Sequence, residues 1–145
     1  METELLCAQP TLLVVDDEER ILSALRRTLR REGYRIVTSE SVHEALEILD
    51  ARPVDLILSD QKMPGMSGLQ FLEEAAKRCP DAARMLITGW TEEIPAEKLE
   101  ELGIRGLITK PWDDARLKEV LRQACDAVWP VANARVGTAS AGSGG

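Results

Sequence analysis

The chain of 145 residues is poor in histidine, has few cysteines and carries fewer basic than acidic residues. Its one histidine, His43, has no partner at metal-ligand spacing, and its three cysteines form no CxxC pair. The net charge of −7 disfavours direct binding to nucleic acid or to an anionic membrane surface. No apolar stretch approaches the ~18 residues of a membrane span, and the N-terminus lacks the basic and apolar regions of a signal peptide. These absences predict a cytoplasmic protein with free thiols.

What the sequence does contain is an alternation of strand-like and helix-like segments that repeats five times. Strands are predicted near residues 11–15, 34–38, 54–59, 84–88 and 104–109. Helices are predicted over 18–31, after the N-caps Ser41 and Ser67, over 95–102 and over about 113–128. The strands are rich in Leu, Ile and Val without polar alternation, which is typical of a parallel sheet covered by helices on both faces. We therefore predict one doubly wound α/β domain, whose strand order the pattern alone does not reveal.

Four of the predicted strands end in polar residues. Asp16 and Asp17 follow the first strand, Asp60 the third, Thr88 ends the fourth and Lys110 follows the fifth. In open parallel sheets, ligands bind beyond the carboxyl ends of the strands, so we expect these side chains to lie together. Three carboxylates, one hydroxyl and one ammonium suit a site that holds Mg²⁺ and a phosphoryl group.

Taken singly, each of these residues has a simpler explanation. Asp16 and Asp17 could form an acidic start to the first helix, which the helix dipole favours. Asp60 could cap a turn, Thr88 could fill a strand, and Lys110 could be a solvated lysine in a turn. Only their combination points to one site.

Two other classes of function fit the sequence less well. A Mg²⁺-dependent phosphatase of the haloacid-dehalogenase type would need a second aspartate two residues after its nucleophile, and the residue there is Lys62. A nucleotide-binding module would need a glycine-rich turn after the first strand, where the sequence DDEE would repel a pyrophosphate.

Taken together, the motifs resemble the receiver domain of bacterial two-component response regulators, over about residues 11–128. The successive intervals are 43 residues from Asp17 to Asp60, 28 from Asp60 to Thr88 and 22 from Thr88 to Lys110. A lone Asp-Asp or Lys-Pro pair would carry no weight, whereas the full ordered set is highly specific. Its members are Asp16, Asp17, Asp60, Met63, Pro64, Met66, Gly68, Thr88, Gly89, Lys110 and Pro111.

The resemblance implies a flavodoxin-like (CheY-like) fold with five helices and a five-stranded parallel sheet in the order 2-1-3-4-5. It implies that Asp60 is the phosphoacceptor for a sensor histidine kinase, and that Thr88 and Lys110 bind the phosphoryl oxygens. It further implies a Mg²⁺ cofactor held by Asp17 and Asp60, by Asp16 mainly through water, and by the backbone carbonyl of Lys62. Such a domain is a phosphoacceptor with self-limited autodephosphorylation and not an enzyme. It relays a conformational change to an output domain or effector protein.

One position departs from the family. Many receivers carry Tyr or Phe three residues before the lysine, where this chain has Leu107. The chain therefore lacks the aromatic side chain that usually couples the residue at the position of Thr88 to the output surface. A degenerate or single-domain receiver that serves as a docking module therefore stays open. The resemblance also implies a homodimer interface on the face formed by the fourth helix, fifth strand and fifth helix. We also expect Lys62 and Trp90 to flank the mouth of the site and to slow the loss of the phosphoryl group.

The resemblance also predicts how the chain is divided. We predict an N-terminal extension over 1–10, the receiver over 11–129, and a flexible tail or linker stub over 130–145. The segments QKMPGMSG, LITGW and TKPW look like those of receivers joined to hydrogenase-type sigma-54 activators or to cyclic-dinucleotide phosphodiesterase domains. We therefore expect an excised N-terminal domain of a regulator, with transcription as the favoured output.

Overall fold

Five parallel strands form one sheet in the computed structural model of the chain, which describes residues 9–89 and 94–141, with side chains up to residue 129. The strands are β1 (Thr11–Val15), β2 (Arg35–Ser39), β3 (Leu56–Asp60), β4 (Ala83–Gly89) and β5 (Ile104–Lys110). Their order is β2-β1-β3-β4-β5, and every neighbouring pair is parallel. The predicted fold and strand order are confirmed.

Five helices cover the two faces of this sheet. They are α1 (Glu19–Leu29), α2 (Val42–Ala51), α3 (Gly68–Arg78), α4 (Ala96–Glu101) and α5 (Asp114–Ala141). Helices α1 and α5 pack over a first core on one face, and α2 and α3 pack over a second core on the other. Residues of β1 alternate between them, since Leu12 and Val14 belong to the first core and Leu13 and Val15 to the second. Burial on both faces explains why the central strands β1, β3 and β4 are mainly apolar, whereas the edge strands β2 and β5 include exposed residues.

The predicted helix starts at Ser41 and Ser67 are confirmed. Ser41 Oγ accepts a hydrogen bond from Glu44 N at 3.0 Å, and Ser67 forms a complete capping box with Gln70. At α2 the capping box is only half-formed, because the Glu44 carboxylate accepts from Ser39 Oγ at 3.2 Å. These caps set the residues at which the loops after β2 and β3 end and the helices begin.

The end of the last helix differs from the prediction. The backbone of α5 continues to Ala141, so the end predicted near residue 128 is wrong, and 130–141 is helical where a flexible tail was expected. The sequence did not predict a helix here because the stretch lacks apolar periodicity and contains Pro130 and Gly137, the residue types with the lowest helix propensity. The proposed division of the chain at residue 129 stays a prediction. Within the described ranges, no helix has the length and apolarity needed to cross a membrane.

Candidate phosphoryl and metal site

The polar residues predicted at the strand ends lie along one edge of the sheet. Asp16 directly follows β1, Asp60 ends β3, Thr88 is the penultimate residue of β4 and Lys110 ends β5. These four strands are consecutive neighbours in the sheet, and parallel pairing places their carboxyl ends side by side. The predicted convergence of these side chains thus follows from strand order as well as from sequence.

Three carboxylates form the acidic part of this edge. One oxygen from each of Asp16, Asp17 and Asp60 lies within 4.8 Å of the other two. Asp16 and Asp60 are 1% and 5% exposed, whereas Asp17 is exposed to solvent. A cluster with two buried acids and one solvent-facing acid is costly without a cation, because like charges repel most strongly where water is excluded.

Lys110 supplies the first compensating charge. Its Nζ lies 3.0 Å from Asp60 Oδ1 and 2.9 Å from Asp16 Oδ2, and its side chain is 20% exposed. The contact with Asp16 lies outside hydrogen-bonding angles, so the buried Oδ2 atom is met by an ion pair only. The peptide bond from Lys110 to Pro111 is cis.

These contacts act in opposite directions on the ionisation of the pair. Burial raises the pKa of Asp60, and the nearby Asp16 charge raises it further, while the hydrogen bond from Lys110 lowers it and leaves a net increase. Burial alone would lower the pKa of Lys110, but its close contacts with the carboxylates of Asp16 and Asp60 outweigh that effect and raise the pKa. Lys110 is therefore held as a cation beside the acids.

The backbone fixes the orientation of Asp16. Its Oδ1 atom accepts from Glu18 N at 2.8 Å, and its own N–H donates to Ser39 O at 3.1 Å. One carboxylate oxygen is thereby occupied by the start of α1, and Oδ2 is turned toward Lys110. This arrangement fits a cation site, because a buried oxygen without an aligned donor is available to a metal ion or to its water.

Thr88 is buried at 3% exposure, and its hydroxyl donates to Gly89 O at 3.2 Å. In this state the hydroxyl is bonded to the neighbouring backbone and not to the acids.

Lys62 is exposed in the loop after β3, beside a cavity of about 750 Å³ that Asp17 also lines. Trp90, predicted at the mouth of the site, lies outside the described residues.

Sequence reasoning missed Gln61, which follows Asp60 directly. Its N–H donates to Ile87 O at 3.2 Å, its carbonyl accepts from Gly68 N at 2.8 Å and its side-chain Oε1 accepts from Leu69 N at 2.9 Å. The only sequence signal was an amide side chain at the first position of a glycine-containing loop. That signal does not specify a partner eight residues away.

Comparison with known proteins agrees with this geometry. The family profile described as response regulator receiver domain matches residues 12–122. The hydrogenase transcriptional regulatory protein HoxA of Cupriavidus necator is 46% identical over 121 residues, which are 82% of this chain and 25% of that protein. The chain therefore spans about a quarter of the length of this relative.

Solved structures of receiver domains are also similar to this chain. The signal receiver domain of an HD domain-containing protein from Pseudomonas fluorescens superposes with a TM-score of 0.77 at 33% identity, over 82% of this chain and 96% of that one. The beryllofluoride-activated NtrC4 receiver domain dimer gives a TM-score of 0.75 at 30% identity, over 81% of this chain and 98% of that one.

Proposed function

The chain belongs to the response regulator receiver domain family, and on that premise we propose that Asp60 accepts a phosphoryl group from a sensor histidine kinase. The observation that carries the proposal is the placement of Asp60. It is a buried carboxylate within 4.8 Å of two others, with the Lys110 ammonium 3.0 Å away. Phosphoryl transfer depends mainly on positioning and on cations that neutralise the phosphoryl oxygens, and this edge of the sheet has groups suited to both tasks.

The proposed reaction is a transfer between two side chains. A carboxylate oxygen of Asp60 forms a bond to phosphorus while the bond from phosphorus to the histidine nitrogen of the kinase breaks. The electron pair of that bond stays on the imidazole nitrogen, and the product is an acyl phosphate on Asp60. Lys110 then pairs with a phosphoryl oxygen, and the Thr88 hydroxyl leaves Gly89 O to donate to another.

Receiver domains bind Mg²⁺ at an acidic pocket, and this chain has such an acidic cluster. We propose that Asp17 and Asp60 hold the ion directly, that Asp16 holds it mainly through water, and that the Lys62 carbonyl is a further ligand. The buried Asp16 Oδ2 atom, which lacks an aligned donor, supports this assignment. When bound, the ion neutralises the acids and polarises the phosphoryl oxygens.

The domain is a signalling phosphoacceptor and not a turnover enzyme. Because HoxA is a transcriptional regulatory protein about four times the length matched, we propose that this receiver regulates transcription in the cytoplasm through an output domain or effector protein. We further propose a homodimer through α4, β5 and α5. The dimeric NtrC4 receiver supports that proposal by analogy.

One observation favours a second candidate. Leu107 stands where many receivers have an aromatic residue, and it packs half-buried against the second core. A degenerate or single-domain receiver that acts as a docking module would need no switch residue at this position. Under this alternative the site would not accept a phosphoryl group and would not change the surface formed by α4, β5 and α5, which we call the output face.

Intact-mass measurement after incubation with Mg²⁺ and acetyl phosphate tests the main proposal. We expect one added phosphoryl group on the wild type and none on Asp60→Asn. The matched control is Asp55→Asn, which changes an acid just before the same strand but keeps an acceptor for Thr11 N. Equal labelling of Asp60→Asn and the wild type would disprove the assignment, and an unlabelled wild type would favour the docking module.

A further inference from the structure

We infer that Gln61 is a positioning residue for phosphoryl transfer, because it is the point at which the phosphoacceptor strand, its neighbour β4 and the start of α3 are tied together. The inference rests on the proposed role of Asp60. It adds a residue that touches neither the phosphoryl group nor the metal ion but holds in place the segment that does.

The backbone of Gln61 joins β3 to its neighbour. Its N–H donates to Ile87 O at 3.2 Å, so the hydrogen-bonded ladder between β3 and β4 continues one residue beyond Asp60. Ile87 directly precedes Thr88. This bond therefore fixes the peptide that follows the phosphoacceptor relative to the residue proposed to bind a phosphoryl oxygen.

The other two bonds of Gln61 close the loop over 61–68. Its carbonyl accepts from Gly68 N at 2.8 Å, and its side-chain Oε1 accepts from Leu69 N at 2.9 Å. Both donors belong to the first turn of α3, where N–H groups have no partner within the helix. The side chain of Gln61 thus serves as a cap for a helix that begins seven residues later.

The start of α3 also lies directly against the backbone of the phosphoacceptor. A Cβ atom on Gly68 would clash with Asp60 O and would lie 2.9 Å from Gln61 Cα. A shift of the α3 terminus would therefore move the Asp60 carboxylate and the loop that contains Lys62. Displacements of about 1 Å can lower reaction rates by up to ~100-fold. A bond that holds the start of α3 in place against Asp60 therefore affects the rate of phosphoryl transfer.

Ser67 provides a matched comparison within the same helix. Its side chain accepts from Gln70 N at 3.1 Å, so it also caps α3, but this bond lies within the start of α3 and does not join the helix to the strand that carries Asp60. Loss of either cap should destabilise α3 to a similar degree. Only loss of the bond from Leu69 N to Gln61 Oε1 should also allow the residues around Asp60 to shift relative to α3.

The test compares Gln61→Met, Gln61→Glu and Ser67→Ala in acetyl phosphate labelling of the whole chain at saturating Mg²⁺, with the melting temperature measured in parallel. Met matches the length of Gln without its oxygen, and Glu keeps an acceptor for Leu69 N. We expect Gln61→Met to lower the maximal labelling rate roughly tenfold with little change in the half-saturating donor concentration. We expect the maximal labelling rate of Gln61→Glu to lie within about threefold of wild type and that of Ser67→Ala within about twofold. Both variants retain an acceptor at position 61 for Leu69 N.

The role of Gln61 is refuted if Gln61→Met is labelled as fast as Ser67→Ala at a similar loss of melting temperature, or if Gln61→Glu is as slow as Gln61→Met. Should Gln61→Met not fold, Gln61→Asn replaces it, because its shorter amide cannot span the same distance. A wild type that takes up no phosphoryl group would instead refute the proposed function.

Discussion

Lys110 Nζ lies 3.0 Å from Asp60 Oδ1, so the proposed phosphoacceptor is already paired with a cation before any phosphoryl group arrives. The same ammonium lies 2.9 Å from Asp16. A cation shared by two buried acids has a structural role as well as a chemical one, since its removal leaves both charges uncompensated in a poorly solvated place.

The first prediction concerns this ion pair. Without Mg²⁺, we expect Lys110→Met to lower the free energy of unfolding by about 2 kcal/mol or more, because two buried carboxylates lose their cation. Added Mg²⁺ should stabilise the variant more than the wild type. Urea unfolding with and without Mg²⁺ measures both effects. Lys77→Met is the control, because Lys77 pairs with Glu74 at an exposed position; an equal loss in the two variants would contradict the prediction.

The second prediction concerns the metal site. Mg²⁺ should bind the folded state only, and at a concentration of 100 times Kd it should add about 2.7 kcal/mol to the free energy of unfolding. Asp17→Ala should abolish this increase, since Asp17 is the solvent-facing member of the acidic cluster. Glu18→Ala is the control, because Glu18 is the acidic residue next to Asp17 and its side chain makes no capping hydrogen bond to α1. Thermal melts that do not respond to Mg²⁺ would count against the site.

Much of the sheet could be predicted because its central strands β1, β3 and β4 are buried on both faces. β3 was expected over 54–59 and is Leu56–Asp60, and β5 was expected over 104–109 and is Ile104–Lys110. The continuous apolar runs that mark such strands are a local property of the sequence. The strand order is not local, and here it came from the family resemblance alone, as did the choice of Asp60 as phosphoacceptor. The suitability of the site residues for Mg²⁺ and a phosphoryl group followed from their chemistry.

The features that the sequence did not reveal depend, like the strand order, on contacts between distant segments. In α1, Ile21 is half-buried while its neighbour Leu22 is 4% exposed, because the direction in which a helix faces its core depends on tertiary packing. The bonds of Gln61 join segments that meet only after the sheet has formed, so no local pattern reveals them.

The third prediction uses Tyr34, which is the only tyrosine of the chain. Burial raises the pKa of its hydroxyl from 10.0 to about 12, with further contributions from the negative charges of Cys125 and Glu32. The folded state keeps this proton where the unfolded state releases it. Stability should therefore fall as the pH rises from 10 toward 12. Ultraviolet titration of tyrosinate should give a midpoint of about 12 in the folded protein. Tyr34→Phe should remove the signal, and an ordinary midpoint near 10 in the folded protein would refute the prediction.

The fourth prediction concerns the lifetime of the phosphoryl group. Lys62 lies in the loop beside the cavity at Asp17, and it is a long cation that offers no general base. Water must approach the phosphorus in line, so a side chain that occupies the approach should slow hydrolysis. We expect Lys62→Ala to lose its phosphoryl group roughly threefold faster than wild type, followed by intact mass over time. The exposed Lys77→Ala should not differ from wild type. A decay of Lys62→Ala no faster than wild type would exclude this role.

The last prediction concerns the output face. Helix α4 has six residues, no side-chain cap and no fully buried side chain, whereas α3 has a capping box and buries Phe71, Leu72 and Ala75. Elements with few buried contacts open at low free energy, so amides of α4 should exchange with solvent faster than those of α3. If Thr88 moves toward the phosphoryl oxygens, β4 and the weakly packed α4 should respond at little cost, even with Leu107 beside them. Hydrogen exchange with and without beryllofluoride should therefore change within residues 88–112 and stay constant in the C-terminal half of α3, which serves as the internal control. An unchanged segment in a protein that demonstrably binds beryllofluoride would show that Leu107 uncouples the site from this face, and would favour the docking module.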